Sequence, residues 1–501
     1  MLTWIQAHPA LSANRLAPLV VVLAFMGAAA AAGVVIASGN LVLIGLAIGA
    51  ILGVLLLNAV GVAVWMILVG TLLIVGPLTM HFPQLGRLAW LFSILGFFLV
   101  GAAILYEGTN RDPHRPAVPV FIVFALLFVV YAVGTLFVSE GSAEQAFAGI
   151  KRYFQYWGLM FALAAVPFTP QQVRRWIVFL LLLGLVQLPF ALYQRAVLMP
   201  MRLNMPKDVV PVDIVAGTFE GSITGGANNN VMAFLLLILI AGLVAAYRES
   251  VIKRPLVLWV GLAMVAAPLA LGETKLAAVL LPIALAIVCI DLIKKRPFVF
   301  LAGSLITVVA AGALMWSYVA LQATEGRGQM SFQQRLQESI EYNIGSRGYF
   351  GGASLNRGNV LPFWWEKHGA SDPIGTIVGH GIGASAGGSG GDTVGHMDRR
   401  YQGVAIGLTT ASSLLWDVGL LGLMLILTIY AGAFFTAGAL VARASPGLDR
   451  AMCRTLQATV VLLGLMLFAL DMLMTAASLQ VLTAFTFGLI AWRWRLTRRA
   501  P

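Results

Sequence analysis

Three histidines, six arginines, a lysine and a pair of adjacent tryptophans fall inside one polar stretch, residues 319–404, of an otherwise apolar chain. Seven acids in the same stretch leave it neutral, and together these hold 14 of the 52 charged residues. Its residue types point to one kind of chemistry. Arginine forks hold phosphate or diphosphate oxygens in a geometry that lysine does not reproduce. Tryptophan rings stack on the apolar faces of sugars. A histidine or carboxylate takes the proton from an attacking hydroxyl. In chain order the candidates are Arg335, Arg347, the run Gly352–Gly358 with Arg357, then Trp364 and Trp365. The glycine run Gly379-His380-Gly381-Ile382-Gly383-Ala384-Ser385 follows, then His396, Arg399 and Arg400. A single histidine in a glycine-rich loop is ordinary; the clustering of Arg, His and Trp is the signal.

Three further motifs lie outside this stretch. Gly217-Thr218-Phe219-Glu220-Gly221 precedes Asn228-Asn229-Asn230 at the start of an apolar run. It is either a glycine-rich turn with an asparagine-capped helix or a helix N-terminus holding a phosphate or sugar, with Glu220 as a sugar ligand. Gly272-Glu273-Thr274-Lys275 sits between two apolar runs. Ionisable groups beside hydrocarbon are costly and tend to mark function, which makes Glu273 a candidate acid or base and Lys275 a candidate phosphate ligand. Asp417 opens an acid-x-Gly-x-x-Gly sequence ending at Gly422, near the start of another apolar run. His380, His396, Asp417 and Glu273 are thus the catalytic candidates. No metal is expected, because His368, His380 and His396 lack compact spacing with cysteines and the loop acids form no tight cluster.

These residues must be positioned by membrane helices. The chain has 501 residues, 60% of them hydrophobic and 10% charged, which excludes a soluble globular class. A span needs roughly 20 apolar residues. Spans are expected near 16–37, 40–57, 60–79, 88–106, 118–138, 153–168, 175–193, 230–247, 255–271, 275–293, 297–318, 408–440, 455–474 and 477–494. The expectation is an all-α polytopic membrane protein of about 14 transmembrane helices, with one large periplasmic loop between spans 11 and 12. Its parts are 1–318, the loop 319–404, and 405–501.

Counting short-loop charges on this scheme puts 18 Lys/Arg and 5 acids on one side, against 7 and 6 on the other. The positive-inside rule then places both termini in the cytoplasm and 319–404 outside. It also accounts for the net charge of +12 without nucleic acid. The two cysteines, Cys289 and Cys453, lie in or beside spans and form no disulfide framework. A periplasm supplies no ATP or nucleotide sugar, so a reaction there requires a substrate that arrives activated.

Gly217–Gly221 before a span, Arg357 through Gly379–Ser385 in one large outer loop after the eleventh span, and Asp417–Gly422 together resemble the O-antigen ligase / Wzy-type polymerase superfamily. The likeness covers roughly residues 120–490. It implies a GT-C-like, metal-independent, cofactor-free glycosyltransferase at the outer face of the bacterial inner membrane. The substrate it implies is an undecaprenyl-diphosphate-linked oligosaccharide, with the bilayer, a chain-length regulator and export machinery as partners. By position it gives Arg357, and with it Arg335 and Arg347, the diphosphate. The ligase branch carries a His-Asn pair ahead of the acid-x-Gly-x-x-Gly ending, where this chain has Gly407-Leu408-Thr409-Thr410. That departure favours a polymerase of exopolysaccharide, capsule or O-antigen repeats over a ligase to lipid A core or protein. A lipid-linked-oligosaccharide flippase of similar span number is the alternative from another class.

Overall fold

A computed structural model describes residues 59–109, 116–203, 214–221, 228–272, 274–324, 355–387, 393–401 and 404–499, with isolated positions between 333 and 345. The chain divides into two units, 1–60 and 61–501, and the following concerns the second. Among the described residues every regular element is a helix. Among the described residues eight helices are long and apolar enough to cross a membrane: Val60–His81, Pro83–Thr109, Val120–Phe137, Pro170–Arg202, Asn229–Arg248, Pro297–Leu314, Thr410–Arg443 and Leu448–Ala469. The chain is a multi-pass membrane protein.

Of the remaining expected spans, 16–37 and 40–57 lie outside the described residues. The others are helices that miss a full apolar span. Pro255–Leu271 and Lys275–Val288 are short. Trp157–Ala165 has nine residues, eight of them buried; it is apolar all round and wedged between Ala89–Thr109 and Ala477–Arg499. The last helix, Ala477–Arg499, ends in arginines. The helix expected to stop at 318 continues to Thr324.

Thr410–Arg443 is the hub. It packs on Leu448–Ala469, Val120–Gly134, Pro373–Val378 and Ala477–Arg499. Side chains turned away from the bundle are large and apolar, among them Val123, Leu126, Leu127 and Val130, then Leu301, Leu305, Ile306 and Val309. In a membrane protein these are the lipid-facing surfaces.

Ion pairs knit one end of the bundle. Arg454 bonds Glu249 and Asp291 at 3.0 Å each, Arg248 reaches Asp291 at 2.9 Å, Arg493 reaches Asp449 at 2.6 Å, and Arg495 reaches Glu107 at 3.3 Å. These are residues of the basic loops that the charge count assigns to a single side.

One non-helical segment is buried inside the bundle. Ile214, Val215, Ala216, Thr218 and Phe219 are each 3% exposed or less, and Gly217 among them is buried. Non-helical backbone at this depth survives only with its polar groups satisfied by protein. Gln194 accepts from the Ala216 and Gly217 N–H groups at 3.0 and 2.7 Å and donates to the Gly217 carbonyl at 2.7 Å. Gln187 accepts from Thr218 N–H and donates to its hydroxyl, both at 2.9 Å. Thr218 Oγ1 then donates to the Leu72 carbonyl at 2.7 Å. Leu72 and Gln194 each belong to a single π turn, Gly70–Ile74 and Gln194–Leu198. Widening a helix to a π turn frees a carbonyl and re-aims a side chain, and both are used here to seat Gly217 and Thr218.

Candidate functional site

The acid-x-Gly-x-x-Gly sequence is a helix break. Gly419 sits at φ 66°, ψ −170° inside Thr410–Arg443. A Cβ there would lie 2.4 Å from the Ile377 carbonyl oxygen, so the position requires glycine for both its conformation and the close approach. The break frees three carbonyls, and each finds a donor outside the helix. His380 N–H bonds the Trp416 carbonyl at 2.9 Å and Gly381 N–H the Asp417 carbonyl at 2.8 Å. The Tyr131 hydroxyl takes the Val418 carbonyl at 2.9 Å. The glycine run of the loop is thereby docked on the break. Gly379, Gly381 and Gly383 hold φ of 82°, 93° and 85°, and at Gly379 a Cβ would fall 2.5 Å from the Asp417 carbonyl.

Asp417 completes the joint. Its carboxylate accepts from Ser385 N–H at 2.7 Å, Gly383 N–H at 3.0 Å and the Tyr153 hydroxyl at 2.9 Å. It is fully buried. With three donors and no exposed edge, Asp417 holds the loop in place and is not open to a sugar.

Tyr153 belongs to Ala143–Phe154, a helix that sequence reading splits between a connecting loop at 139–152 and the start of the span expected at 153–168. Its N-cap Ser142 accepts from Gln145 N–H at 3.2 Å. Gln145, Gly149 and Tyr153, four residues apart in each case, form its buried stripe. That spacing is the signal that marks the helix in the sequence. Gln145 Oε1 meets His396 Nδ1 at 3.0 Å and accepts from His396 N–H at 3.1 Å. This fixes the tautomer: Nδ1 carries the proton and Nε2 is the basic nitrogen. Burial holds His396 below the usual imidazole value.

Arg152, on the same helix, donates to Ser413 Oγ at 3.4 Å. It also acts electrostatically on Asp471, and so does Arg357. Arg357 donates to the Ala469 carbonyl and to Asn343 Oδ1. Arg357 is thus anchored at the start of the break between Leu448–Ala469 and Ala477–Arg499, Asp471 within that break feels the charge of both arginines, and Thr410 N–H bonds the Leu470 carbonyl there at 2.9 Å. Beside this break lies an apolar cavity of about 70 Å³, lined by Phe128, Tyr153, Trp157, Leu414, Met474 and Phe487 among others.

His380 and His368 form a second feature. Their Nε2 atoms are 3.2 Å apart, and Asp372 Oδ2 lies 3.4 Å from His368 Nδ1 and 3.7 Å from His380 Nε2. The absence of compact metal-ligand spacing expected from sequence does not describe this arrangement, because the turn at 368–380 folds back on itself. Burial pushes His380 down to about 4, with the charge of His368 acting the same way, and burial also lowers His368.

The other sequence candidates are spread around these two groups. Trp364 is buried, with Trp365 exposed beside it and ring centroids 6.2 Å apart. Arg399 and Arg400 lie on the short helix His396–Arg400, with the Arg400 guanidinium 5.9 Å from the Tyr401 ring. Glu220 accepts from Ser478 N–H at 3.0 Å and from Asn228 Nδ2 at 3.2 Å. It caps the start of Ala477–Arg499. Lys275 begins its helix beside Thr274, next to Asn229, whose side chain reaches the Gly272 carbonyl at 3.2 Å. Glu273, Arg335 and Arg347 lie outside the described residues.

No protein-family model matches this chain, and comparison with curated proteins returns no significant match.

Proposed function

We propose that this chain is a glycosyltransferase of the bacterial inner membrane that joins undecaprenyl-diphosphate-linked oligosaccharide repeats into a polymer at the periplasmic face. The observation that carries this reading is the helix break at 470–476, where Arg357 donates to the Ala469 carbonyl and Asp471 feels the charges of both Arg152 and Arg357, beside an apolar cavity. Cations next to an apolar recess between helices suit a substrate that is anionic at its head and hydrocarbon in its tail. About 14 spans, the GT-C-like arrangement, cytoplasmic termini and an outer 319–404 loop belong to the same proposal; the spans rest on hydropathy, the orientation on the Lys/Arg distribution, and the GT-C-like arrangement on the family resemblance.

In this mechanism an acceptor hydroxyl attacks the anomeric carbon of the donor from the face opposite the diphosphate. The new C–O bond forms as the bond to the diphosphate breaks, with inversion. Arg152 and Arg357 stabilise the charge that develops on the departing diphosphate. His396 Nε2 takes the hydroxyl proton, held in its tautomer by Gln145. The exposed ring of Trp365 offers a sugar platform at the edge of the loop. No metal enters this step.

The test is deletion of the gene followed by separation of envelope glycans by length. Loss of polymer with single repeats retained supports polymerisation. Lipid-linked polymer accumulating untransferred assigns the chain to a ligase. Purified protein in lipid vesicles that moves a lipid-linked oligosaccharide across the bilayer without lengthening it overturns the enzyme reading in favour of a flippase.

A further inference from the structure

We propose that His368, Asp372 and His380 form a binding site for one divalent transition-metal ion, with zinc as the fitting metal. A tetrahedral zinc site with bonds of about 2.0–2.2 Å to nitrogen and oxygen sets its ligand atoms about 3.3–3.5 Å apart. Asp372 Oδ2 lies 3.4 Å from His368 Nδ1 and 3.7 Å from His380 Nε2, and one nitrogen of each histidine and a carboxylate oxygen all lie within 4.8 Å of one another, so turning the rings inward gathers the three donors around a common centre. The donor set, two imidazoles and one carboxylate, suits zinc and its first-row neighbours rather than magnesium or calcium.

Three features of the surroundings are those of a built site. The first is a poorly matched nitrogen: His368 is 3% exposed, and its buried Nδ1 makes no hydrogen bond, with Asp372 Oδ2 facing it at 3.4 Å. A buried polar nitrogen left unmatched is costly, and a metal ion would satisfy it. The second is the aim of Asp372. It is the N-cap of Pro373–Val378, and Oδ1 accepts from Gly375 N–H at 2.9 Å, which turns Oδ2 towards the imidazoles. Outer-shell bonds of this sort orient metal ligands. The third is space: at Gly375 a Cβ would lie 2.2 Å from Asp372 Oδ2 and 2.8 Å from His380 Cε1, so any side chain would crowd the cluster. The side chains of Asp372 and His380 keep 39% and 19% exposure, which leaves an approach for the ion and for a water as fourth ligand. Arg400 is near enough to act on both histidines and opposes a cation; the single anionic ligand and two neutral donors must outweigh it.

The alternative without metal is an imidazole pair sharing one hydrogen bond. The two separate by metal content. The full chain is purified in detergent through an affinity tag without histidines, stripped with a chelator, exposed to zinc and passed over a desalting column. Zinc is then measured by mass spectrometry, and cobalt loaded in parallel is followed by its visible d–d absorption. One zinc per chain is expected, with the intense bands of four-coordinate cobalt. His380→Ala and Asp372→Asn are expected to lower retained zinc at least tenfold and abolish the bands. Asparagine also caps helices, so Asp372→Asn preserves the local fold, and a metal-free melting temperature equal to that of the parent checks this. Zinc is further expected to raise the melting temperature of the parent and of neither variant. Retention of less than a tenth of an equivalent by the parent, or equal retention by parent and variants, overturns the site. None of these readouts depends on glycosyl transfer.

Discussion

The Tyr153 hydroxyl donates to Asp417 Oδ2 at 2.9 Å across 264 residues of sequence. It joins the short helix Ala143–Phe154 to the kinked start of Thr410–Arg443. The same carboxylate holds the Gly383 and Ser385 amides, so one buried acid fixes the relation between two helices and the loop.

Removing that acid is expected to be severe. Asp417→Ala leaves two amides and a hydroxyl without partners, at about 1–3 kcal/mol each. Tyr153→Phe removes one bond and is expected to cost about 1 kcal/mol. Thermal unfolding in detergent, followed by size-exclusion fluorescence, orders the two. A melting point for Asp417→Ala within a degree of the parent would show that the joint is dispensable.

Arg152 and Arg357 test the reaction. Arg152→Ala and Arg357→Ala are each expected to reduce polymer synthesis on the order of 10²-fold or more, by analogy with other charge-stabilising groups. Arg357→Lys is expected to recover part of this, since a point charge remains while the fork is lost. Membrane expression should hold for all three, and glycan length on gels is the readout. Parent-length polymer from well-inserted Arg152→Ala and Arg357→Ala removes both from the site.

His396→Ala is expected to slow transfer about 10²–10⁴-fold, as for loss of a general base. Gln145→Leu keeps the imidazole and loses the partner that sets its tautomer, so a smaller fall is expected, with little change in the half-saturating substrate concentration. Rates measured with a purified lipid-linked repeat separate the two. Equal losses in both variants, accompanied by equal losses in stability, would mean that the pair only braces the loop.

Glycine substitution separates conformation from composition. Gly419→Ala forces a side chain into φ 66° and against the Ile377 carbonyl; misfolded or absent protein is expected. At Gly101, inside a helix, a Cβ meets nothing within 4 Å. Gly101→Ala is expected to be neutral or to stabilise by up to about 1 kcal/mol. Membrane yield and melting point decide, and a well-folded Gly419→Ala protein would refute the docking of the loop on the break.

Orientation is open to reporter fusions at Gly388 and after Pro501. An outer signal at Gly388 with an inner one at the C-terminus is expected from the distribution of Lys and Arg. A cytoplasmic signal at Gly388 would place the proposed chemistry where its substrate is absent.

The sequence by itself determined that the chain is helical and polytopic, because hydrocarbon demands long apolar segments whose backbone bonds are internal. Hydropathy reports that property residue by residue. The basic loops were legible for the same reason: charge is a local quantity, and Arg248, Arg454 and Arg493 do gather with Glu249, Asp291 and Asp449. The motifs Gly217–Glu220, Gly379–Ser385 and Asp417–Gly422 stood out because glycine marks backbone that must turn or approach closely.

What each motif does was decided only by tertiary structure. Asp417 and Glu220 look alike in sequence as acids at span ends. One is saturated by loop amides and a tyrosine, the other by Ser478 and Asn228. Burial and partners decide what a carboxylate does, and one partner of each acid, Tyr153 for Asp417 and Ser478 for Glu220, comes from 264 and 258 residues away. Arg152, Gln145 and Tyr153 were invisible as a group because the first two read as a polar connection and the third as the start of a span, until Ile382, Asp417 and His396 close over their one helix. His368 and Asp372 are four residues apart and His380 twelve from the first, but whether the three converge depends on the positive-φ turn at Gly379 that returns His380 to the other two.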